Sequence, residues 1–246
     1  MVITFSMNEK INIFSIKNKV IIITGAGRGI GRIFAVNMAK LSAYVYCFDI
    51  NFPTKIPDAL SKNLFHVKCD LTNTKKFGME CKKIFAGHKK IDVLINNAGL
   101  AWGFEPAHKV DIQKWETMID TNCKGLVYMT RAVLPGLIKR NKGHIVNMGS
   151  VAGSYPYEGG NVYGGTKAFV KQFSLGLKSD LLGTKVRITN IEPGMTNTEF
   201  SKIRYSGDKK KADKVYEKMS PLTGLDIAET IYWCVERPKH VNINSI

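Results

Sequence analysis

Four glycines alternate with other residues in the short segment from Thr24 to Gly31. Glycines permit a tight turn and let the backbone approach a bound pyrophosphate closely. The start of a helix adds free N–H groups and the positive end of a dipole. An apolar β-branched run precedes the segment and a helical pattern follows it, which is the context of a dinucleotide-binding loop. The predicted dinucleotide contacts are Gly25, Gly27, Arg28, Gly29, Ile30 and Gly31.

The choice between two dinucleotides depends on Asp49 and Arg28. Asp49 stands 18 residues after Gly31, at the end of the second predicted strand. A carboxylate there accepts hydrogen bonds from ribose hydroxyls and repels a 2′-phosphate, which favours NAD. Arg28 keeps NADP as the alternative, because a guanidinium can pair with that phosphate. The structural alternatives are that Asp49 is an ordinary turn residue at a strand end and that Arg28 is a solvated loop residue. We therefore predict NAD, with NADP as the alternative.

Polar and small residues also follow the next two predicted strands. Asp70 comes after the third strand, where its carboxylate can bind the adenine edge. The run Asn96–Gly99 ends the fourth strand, where small residues leave room for a cofactor and asparagine amides lock neighbouring backbone. Ordinary loop chemistry is the alternative for both. The predicted contacts from these segments are Asp70, Leu71, Asn97, Ala98 and Gly99.

A second group of reactive side chains lies in the other half of the chain. Tyr163 and Lys167 are four residues apart on a predicted helix, so both side chains share one face. Ser150 ends a predicted strand 13 residues before Tyr163, and Asn122 lies in the preceding helix. Alone, this spacing also fits a packing tyrosine and a surface lysine. These residues follow the glycine loop and the Asn-Asn-Ala-Gly run along the same chain. A chance occurrence of the whole combination in this order is improbable.

Short β-branched runs alternate with longer helical patterns, and these elements must position the residues above. The predicted strands are Val20–Thr24, Tyr44–Phe48, Leu64–Lys68, Val93–Asn96, His144–Met148 and Val186–Ile191. The predicted helices are Ile30–Leu41, Thr74–Phe85, Ile112–Leu137, Val162–Leu182 and Asp226–Glu236. Apolar strands without polar alternation are typical of a parallel sheet covered by helices on both faces. Ligands bind such a sheet beyond the carboxyl ends of its strands, where the motifs fall.

The bulk properties fit one α/β domain. The chain has 246 residues, 44% of them hydrophobic, and no apolar run approaches the roughly 18 residues that span a bilayer. The apolar patch Val2–Phe5 is too short for a signal peptide. The five cysteines are scattered, which is typical of free thiols in a reducing compartment. We predict a cytoplasmic protein with an N-terminal extension over 1–18 and a single domain over 19–246.

The formal net charge of +16 raises the hypothesis of nucleic-acid binding. The basic residues are spread along the chain, however, and the longest basic run is Lys209–Lys211. A Lys-rich solvated surface that also helps to attract an anionic cofactor explains the charge better. We expect no nucleic-acid partner; a steep salt dependence of DNA retention would contradict this. No histidine or cysteine spacing indicates a metal site.

The chain resembles the single-domain short-chain dehydrogenase/reductase family over about Lys19–Ile246. The resemblance implies a Rossmann-type doubly wound parallel sheet and an NAD(P)-dependent oxidoreductase that acts on CH–OH groups. It also implies a homotetramer or dimer that packs through the long helices 112–137 and 162–182. The resemblance rests on Thr24–Gly31, Asp70, Asn96–Gly99, Asn122, Ser150, Tyr163 with Lys167, and Pro193-Gly194.

Within the family, the chain is most similar to bacterial NADP-dependent 3-hydroxy acid dehydrogenases that also act on serine and L-allo-threonine. The similarity rests on Glu105–Lys109, Trp115–Asn122, Lys124–Pro135, Gly159–Gly164, Thr166–Ser174 and His240–Asn244. It implies a small hydroxy acid, or another alcohol or carbonyl compound, as substrate. These relatives usually carry basic residues after the second strand, where this chain has Asp49-Ile50-Asn51.

These relatives also continue beyond the position of Ile246, so we expect a truncated last strand over Val241–Ile246. This gives an alternative function, a catalytically weakened dinucleotide-binding protein that acts as a sensor or scaffold. The presence of the complete set argues against that alternative; its members are Asn122, Ser150, Tyr163 and Lys167.

The resemblance also implies a role for each reactive side chain. Tyr163 is the general acid/base; its usual pKa of about 10 is lowered by Lys167 and by the cationic nicotinamide. Lys167 also holds the nicotinamide ribose, and Ser150 binds the substrate oxygen. Asn122 keeps a water in a proton relay with Lys167. The residues that resemble the nicotinamide carboxamide site are Pro193, Gly194 and Thr198.

The substrate pocket is expected between the loops 99–105 and 154–161 and the segment 200–218. Arg204 is the candidate partner of a substrate carboxylate, because its planar fork of donors matches a carboxylate. The alternative is a surface arginine on a mobile lid. Tyr157 and Glu105 are weaker candidates for the pocket wall.

Overall fold

The computed structural model describes residues 16–217 and 219–246, and a six-stranded parallel sheet runs through them. The strand order is β3-β2-β1-β4-β5-β6, in which the order reverses between β1 and β4. This order confirms the Rossmann-type prediction and places a ligand crevice at the reversal point. The strands are β1 Val20–Thr24, β2 Tyr44–Asp49, β3 Leu64–Lys68, β4 Val93–Asn96, β5 Gly143–Met148 and β6 Val186–Ile191.

Helices cover both faces of the sheet, as predicted. The longer helices are α1 Gly29–Lys40, α2 Thr74–His88, α3 Ile112–Ile119, α4 Leu126–Lys139, α5 Asn161–Asp180 and α8 Gly224–Glu236. Alternate β1 residues point to opposite faces: Ile21 and Ile23 pack in one core with α1 and α8, while Val20 and Ile22 pack in the other with α2, α4 and α5. Both faces of the sheet are therefore buried.

The predicted helix 112–137 differs in one respect. Between α3 and α4 the chain makes a wider π-helical turn over Asp120–Gly125. Such insertions are frequent at functional sites. The turn carries Asn122, whose buried side chain holds the backbone of Leu100 on the neighbouring loop.

The far edge of the sheet beside β6 is closed by the last residues of the chain. Asn190 pairs with Ser245 in a single parallel bridge, and the Asn190 N–H donates to the carbonyl of Asn244 over 2.9 Å. The expected short last strand therefore occurs as this one bridge. Of the predicted extension 1–18, residues 1–15 lie outside the described part, and Ile16 is buried in the core.

The segment between β6 and α8 contains four short elements that the sequence patterns did not predict. They are β7 Thr196–Asn197, α6 Phe200–Arg204, α7 Lys209–Lys214 and β8 Leu222–Thr223, with β7 and β8 paired in a small parallel sheet. The segment supplies residues to the wall of the cleft that follows the strand ends. Among residues 16–217 and 219–246, no helix is long and apolar enough to span a membrane.

Candidate active site

A cleft of about 1010 Å³ lies beyond the carboxyl ends of the strands, where the sheet topology predicts a ligand. All but four of the predicted site residues line it. Those in the wall are Gly25, Arg28, Gly29, Ile30, Asp49, Asp70, Leu71, Asn97, Ala98, Gly99, Ser150, Tyr157, Tyr163, Lys167, Pro193, Gly194, Thr198 and Arg204. Of the other four, Gly27, Gly31 and Asn122 contact the loops that form the wall, and Glu105 lines a small separate cavity.

The glycine loop is packed so tightly that side chains would not fit. Gly25 has φ +65°, and a Cβ there would lie 2.7 Å from the Cα of Ala98. A Cβ on Gly31 would lie 2.4 Å from the Gly25 carbonyl oxygen. The Asn97 side chain donates to the carbonyls of Thr24 and Gly25 over 3.0 and 2.9 Å, as expected for an amide that locks the loop. The loop and the start of α1 thus form a cradle that fits a pyrophosphate.

Gly27 offers a direct test of this cradle, because a Cβ there would lie 2.1 Å from the carbonyl oxygen of Asn51. Gly27→Ala must therefore displace the loop, and we expect the dissociation constant of the dinucleotide to rise about tenfold or more. Quenching of protein fluorescence during cofactor titration measures it. Gly78→Ala on α2, where a Cβ meets nothing within 4 Å, is the matched control. Equal affinities for the two variants would contradict the prediction.

Tyr163 and Lys167 lie on one face of α5, as their spacing predicts. The Lys167 ammonium is 5.8 Å from the centre of the Tyr163 ring and donates to the Met148 carbonyl over 2.6 Å. Ser150 follows β5; its hydroxyl accepts from the N–H of Ala152 over 3.1 Å. Helix α5 therefore brings the Tyr163 phenol and the Lys167 ammonium to one end of the cleft, and the turn after β5 brings the Ser150 hydroxyl to the same end.

Burial works against the charged forms of both α5 side chains. It raises the pKa of Tyr163 to about 12, which a hydrogen bond with Ser150 opposes. It lowers the pKa of Lys167 to about 8, although the neighbouring Cys123 thiol acts in the other direction. A further positive charge beside Tyr163 is needed before its phenolate forms near neutral pH. The oxidised nicotinamide ring of a dinucleotide bound in this cleft carries such a charge.

Asn122 has its amide committed to protein partners. It accepts from the Leu100 N–H over 2.9 Å and donates to the Leu100 carbonyl and to the Thr166 hydroxyl over 2.9 and 3.0 Å. A Cβ on Gly99 would lie 3.2 Å from Asn122 Oδ1 and 3.4 Å from Lys167 Nζ. Both polar groups therefore flank the backbone of Gly99 at the floor of the cleft.

Arg204, at the end of α6, is only 8% exposed, unlike a surface arginine. It donates to the Tyr157 hydroxyl over 2.7 Å and to the carbonyls of Gly159 and Gly103 over 3.4 and 3.3 Å. Its guanidinium lies 3.5 Å from the centre of the Phe104 ring. No carboxylate in the described part of the chain forms an ion pair with it. The cleft thus contains a buried positive charge that an anionic ligand can neutralise.

Sequence reasoning missed two contributors to this site. The Thr24 hydroxyl, at the end of β1, accepts from the N–H groups of Asn97 and Ala98 over 3.1 and 3.0 Å. It therefore joins the glycine loop to the loop after β4. Its signal was its place directly before the first glycine. Thr166, which binds Asn122, had no signal beyond its position between Tyr163 and Lys167. Within the described ranges, no group of three or more His, Cys, Asp and Glu side chains could hold a metal ion.

A comparison with protein-family models matches residues 19–209 to the short chain dehydrogenase family. The chain belongs to this family. Among curated proteins, it is 49% identical to an NADP-dependent 3-hydroxy acid dehydrogenase of Salmonella typhi over 230 residues, which are 92% of this chain and 93% of that protein. It is 46% identical to a serine 3-dehydrogenase of Rhizobium radiobacter over 230 residues, 92% of this chain and 91% of that one.

Among solved structures, a short chain dehydrogenase described as the closed form of serine dehydrogenase complexed with NADP⁺ matches with a TM-score of 0.88. The two chains are 48% identical, and the match covers 92% of this chain and 93% of that one. The protein is therefore an oxidoreductase of the short chain dehydrogenase family that uses a nicotinamide dinucleotide. The alternative of a weakened sensor or scaffold gains no support from these relatives.

The predicted preference for NAD is wrong. The 3-hydroxy acid dehydrogenase relative is NADP-dependent, and the similar serine dehydrogenase structure contains NADP⁺. The structure explains why Asp49 misled the prediction. Its two carboxylate oxygens accept from the N–H groups of Gly27 and Asn51 over 2.8 and 3.1 Å, so the residue ties the glycine loop to the turn after β2. Arg28, in contrast, is exposed at the cleft.

Proposed function

We propose that the protein is an NADP-dependent dehydrogenase of small 3-hydroxy acids, with Tyr163 as its general acid/base. The observation that carries the proposal is the arrangement at one end of the cleft. Tyr163, Ser150 and Lys167 meet there beside Arg204, a buried guanidinium without a carboxylate partner in the described residues. The names of the similar proteins, a 3-hydroxy acid dehydrogenase and a serine 3-dehydrogenase, support this substrate class.

The proposed chemistry breaks two bonds of the alcohol. When bound, the nicotinamide supplies the acceptor for the hydride that leaves the carbinol carbon. The hydroxyl proton passes to the Tyr163 oxygen, and the hydroxyl of Ser150 donates a hydrogen bond to the substrate oxygen. Lys167 favours the Tyr163 phenolate and binds the nicotinamide ribose. Asn122, whose amide donors are both bound to Leu100 and Thr166, holds a water of the proton relay through an acceptor oxygen. The residues assigned to the carboxamide are Pro193, Gly194 and Thr198.

The preference for NADP is assigned to Arg28. Its side chain is exposed in the cleft wall, and the N–H of the preceding Gly27 donates to Asp49 at the end of β2. A guanidinium can bind a 2′-phosphate with two parallel hydrogen bonds. The net charge of +16 adds a general attraction for a polyanionic cofactor.

Arg204 is proposed to bind the substrate carboxylate, with Tyr157 supporting it. We expect Arg204→Met to raise KM for 3-hydroxy acids about 10- to 100-fold, because a charged hydrogen-bond donor is lost. KM for neutral alcohols of similar size should change much less. Steady-state kinetics with both substrate classes measure the difference. Tyr157→Phe, which removes only the hydroxyl that Arg204 contacts, separates loss of charge from loss of position. An equal rise in KM for acids and alcohols would reject the role.

Assembly and location complete the proposal. Large apolar side chains are exposed on the outer faces of α4 and α5, among them Tyr128, Phe169 and Leu175. They support a homodimer or homotetramer that packs through these helices, which sedimentation analysis can test. All five cysteines are free, which supports a reducing compartment such as the cytoplasm.

The experiment that tests the proposed function follows NADPH formation by its absorbance. L-serine, L-allo-threonine, 3-hydroxypropionate and 3-hydroxyisobutyrate are supplied with NADP⁺ or NAD⁺ in parallel. Turnover of at least one of these acids, faster with NADP⁺, is the expected result. Tight NADP⁺ binding without turnover of any of them would overturn the proposal.

A further inference from the structure

We propose that the Arg204 guanidinium assists proton transfer as a second cation beside the Tyr163 phenolate, and that a substrate carboxylate bound to Arg204 cancels this assistance. The inference rests on the proposed function and deepens it, because it gives the carboxylate-binding residue a part in the proton transfer. Its basis is the position of a buried positive charge next to the ring of the general acid/base. That charge forms no ion pair with a carboxylate of the described residues.

Contacts within the protein fix the position of the Arg204 guanidinium. It lies 5.8 Å from the centre of the Tyr163 ring, 5.0 Å from that of Tyr157 and 3.5 Å from that of Phe104. Arg204 is 8% exposed and donates to the Tyr157 hydroxyl over 2.7 Å. Because three aromatic rings and a hydrogen bond hold the guanidinium, its charge can act on Tyr163 before a substrate enters the cleft.

The attraction between this cation and a phenolate acts where little water screens it, so it is stronger than on an open surface. Burial raises the pKa of Tyr163, whereas the hydrogen bond with Ser150 and the charge of Arg204 both lower it. A positive charge at about this separation favours the charged form of an acid by about one pKa unit or more. Arg204 therefore makes the phenolate easier to form than it would be beside a neutral side chain.

The other charged and titratable groups around the general acid/base do not replace this contribution. The Lys167 ammonium also lies 5.8 Å from the ring, but burial lowers its pKa to about 8, so it loses its charge under alkaline conditions. The Arg204 guanidinium stays protonated there. Tyr157 adds a second phenol and no positive charge. The carboxylate of Glu105, in the wall of the adjoining small cavity, pairs with Lys114.

A substrate carboxylate at Arg204 changes this balance, because it brings a negative charge to the same place. The Tyr163 phenolate then forms less readily in the complex with a 3-hydroxy acid than in the complex with a neutral alcohol. Coupling of this kind is reciprocal, so the acid binds more tightly while Tyr163 is a neutral phenol. Binding of an acid therefore extends the pH range over which the phenol, the form that carbonyl reduction needs, is present.

The test measures kcat/KM against pH with saturating NADP⁺, for 3-hydroxypropionate and for its neutral amide, 3-hydroxypropionamide. The midpoint of the rise in kcat/KM reports the ionisation of Tyr163 in the cofactor complex, before substrate binds. Arg204→Met should move this midpoint upward by about one pH unit with either substrate. Arg204→Lys keeps a positive charge without the planar fork, so its midpoint should lie close to that of the wild type even if its KM for the acid rises.

Lys202→Met is the matched control, because Lys202 is exposed on the same short helix and its loss changes the net charge equally. Its midpoint should stay within about 0.3 pH units of the wild type, since solvent and salt screen an exposed charge. The wild type gives a second readout, because kcat reports the complex with substrate. For the acid, the midpoint of kcat should lie about one unit above that of kcat/KM; for the amide, the two should coincide.

The outcomes separate the inference from the proposed function. If Arg204→Met raises KM for 3-hydroxypropionate but leaves the midpoint of kcat/KM unchanged, Arg204 only binds the carboxylate; the inference is overturned and the proposed function stands. If Arg204→Lys moves the midpoint as far as Arg204→Met does, the shape of the segment and not its charge acts on Tyr163, which also overturns the inference. Equal midpoints of kcat for acid and amide would contradict the cancellation by a carboxylate. If the wild type oxidises none of the hydroxy acids, the proposed function itself fails.

Discussion

Replacing Tyr163 with phenylalanine is expected to lower kcat for alcohol oxidation about a thousandfold, within the range for loss of a general acid/base. The ring stays in place and only the oxygen that receives the substrate proton is lost. The dissociation constant of NADP⁺ should change by less than about threefold, because the cradle around Gly25 is untouched. Steady-state kinetics and cofactor titration on the same preparation measure both quantities.

The pH dependence follows from the same role. Oxidation needs the phenolate of Tyr163, so kcat/KM for the alcohol rises with pH up to the pKa of Tyr163 in the cofactor complex. Reduction of the carbonyl needs the neutral phenol and falls over the same range. Since burial raises the pKa of Tyr163 to about 12 in the free protein, bound cofactor must lower it for activity near neutral pH. The rise with pH should be absent from the residual activity of Tyr163→Phe.

Tyr155→Phe is the matched control, since Tyr155 lines the same cleft but is 72% exposed. Its kcat should stay within about threefold of the wild type. A Tyr163→Phe variant that keeps a tenth or more of kcat would show that another group accepts the proton. The assignment of the general base would then be wrong, even if the protein remained an active dehydrogenase.

How far the fold could be predicted depends on the physical signal of each element. The central strands have sharp signals because both faces are buried, so runs such as Val20–Thr24 are continuously apolar. The π-helical turn Asp120–Gly125 keeps helical periodicity on both sides and has no signal of its own. The short elements α6 and α7 do not follow the hydrophobic period of a helix or of a strand for long enough to be recognised. In addition, α7 begins with the basic run Lys209–Lys211.

Some residues of the candidate site could likewise be predicted from the sequence, and others could not. The four-residue spacing of Tyr163 and Lys167 needs only a helix to bring the pair together, and α5 provides it. Asp49 misled because its sequence position is the same whether it binds a ribose or closes a backbone turn. The burial of the Arg204 charge depends on packing between distant segments, here 101 residues apart for Arg204 and Gly103. Only three-dimensional structure reveals such groups.

Lys167 links the stability of the free protein to its activity. Lys167 is 7% exposed, and its ammonium has one hydrogen-bond acceptor in the described structure, the carbonyl of Met148. Burial lowers its pKa from 10.5 to about 8, so charging it in the folded protein is unfavourable. The Lys167 ammonium therefore destabilises the free protein, while it supplies a positive charge at the reacting end of the cleft.

Lys167→Met is therefore expected to have opposite effects on activity and stability. We expect kcat to fall about a hundredfold or more, because the phenolate of Tyr163 and the cofactor ribose lose their cation. At pH 7 the free energy of unfolding should rise by about 2 kcal/mol: the lowering of the pKa from 10.5 to about 8 costs the folded protein about 3 kcal/mol, and the lost hydrogen bond offsets about 1 kcal/mol. Urea unfolding without cofactor measures the gain.

The sign of the pH dependence distinguishes this cause from simple packing. Between the folded pKa of about 8 and the unfolded value of 10.5, the unfolded wild type binds more protons, so its stability rises with pH. The advantage of Lys167→Met should accordingly be full below pH 8 and nearly absent by pH 10.5. Lys139→Met, at an exposed position on α4, should change stability by no more than about 0.5 kcal/mol at either pH. An equal gain for Lys167→Met at both pH values would mean that packing, rather than a buried charge, limits the stability of this site.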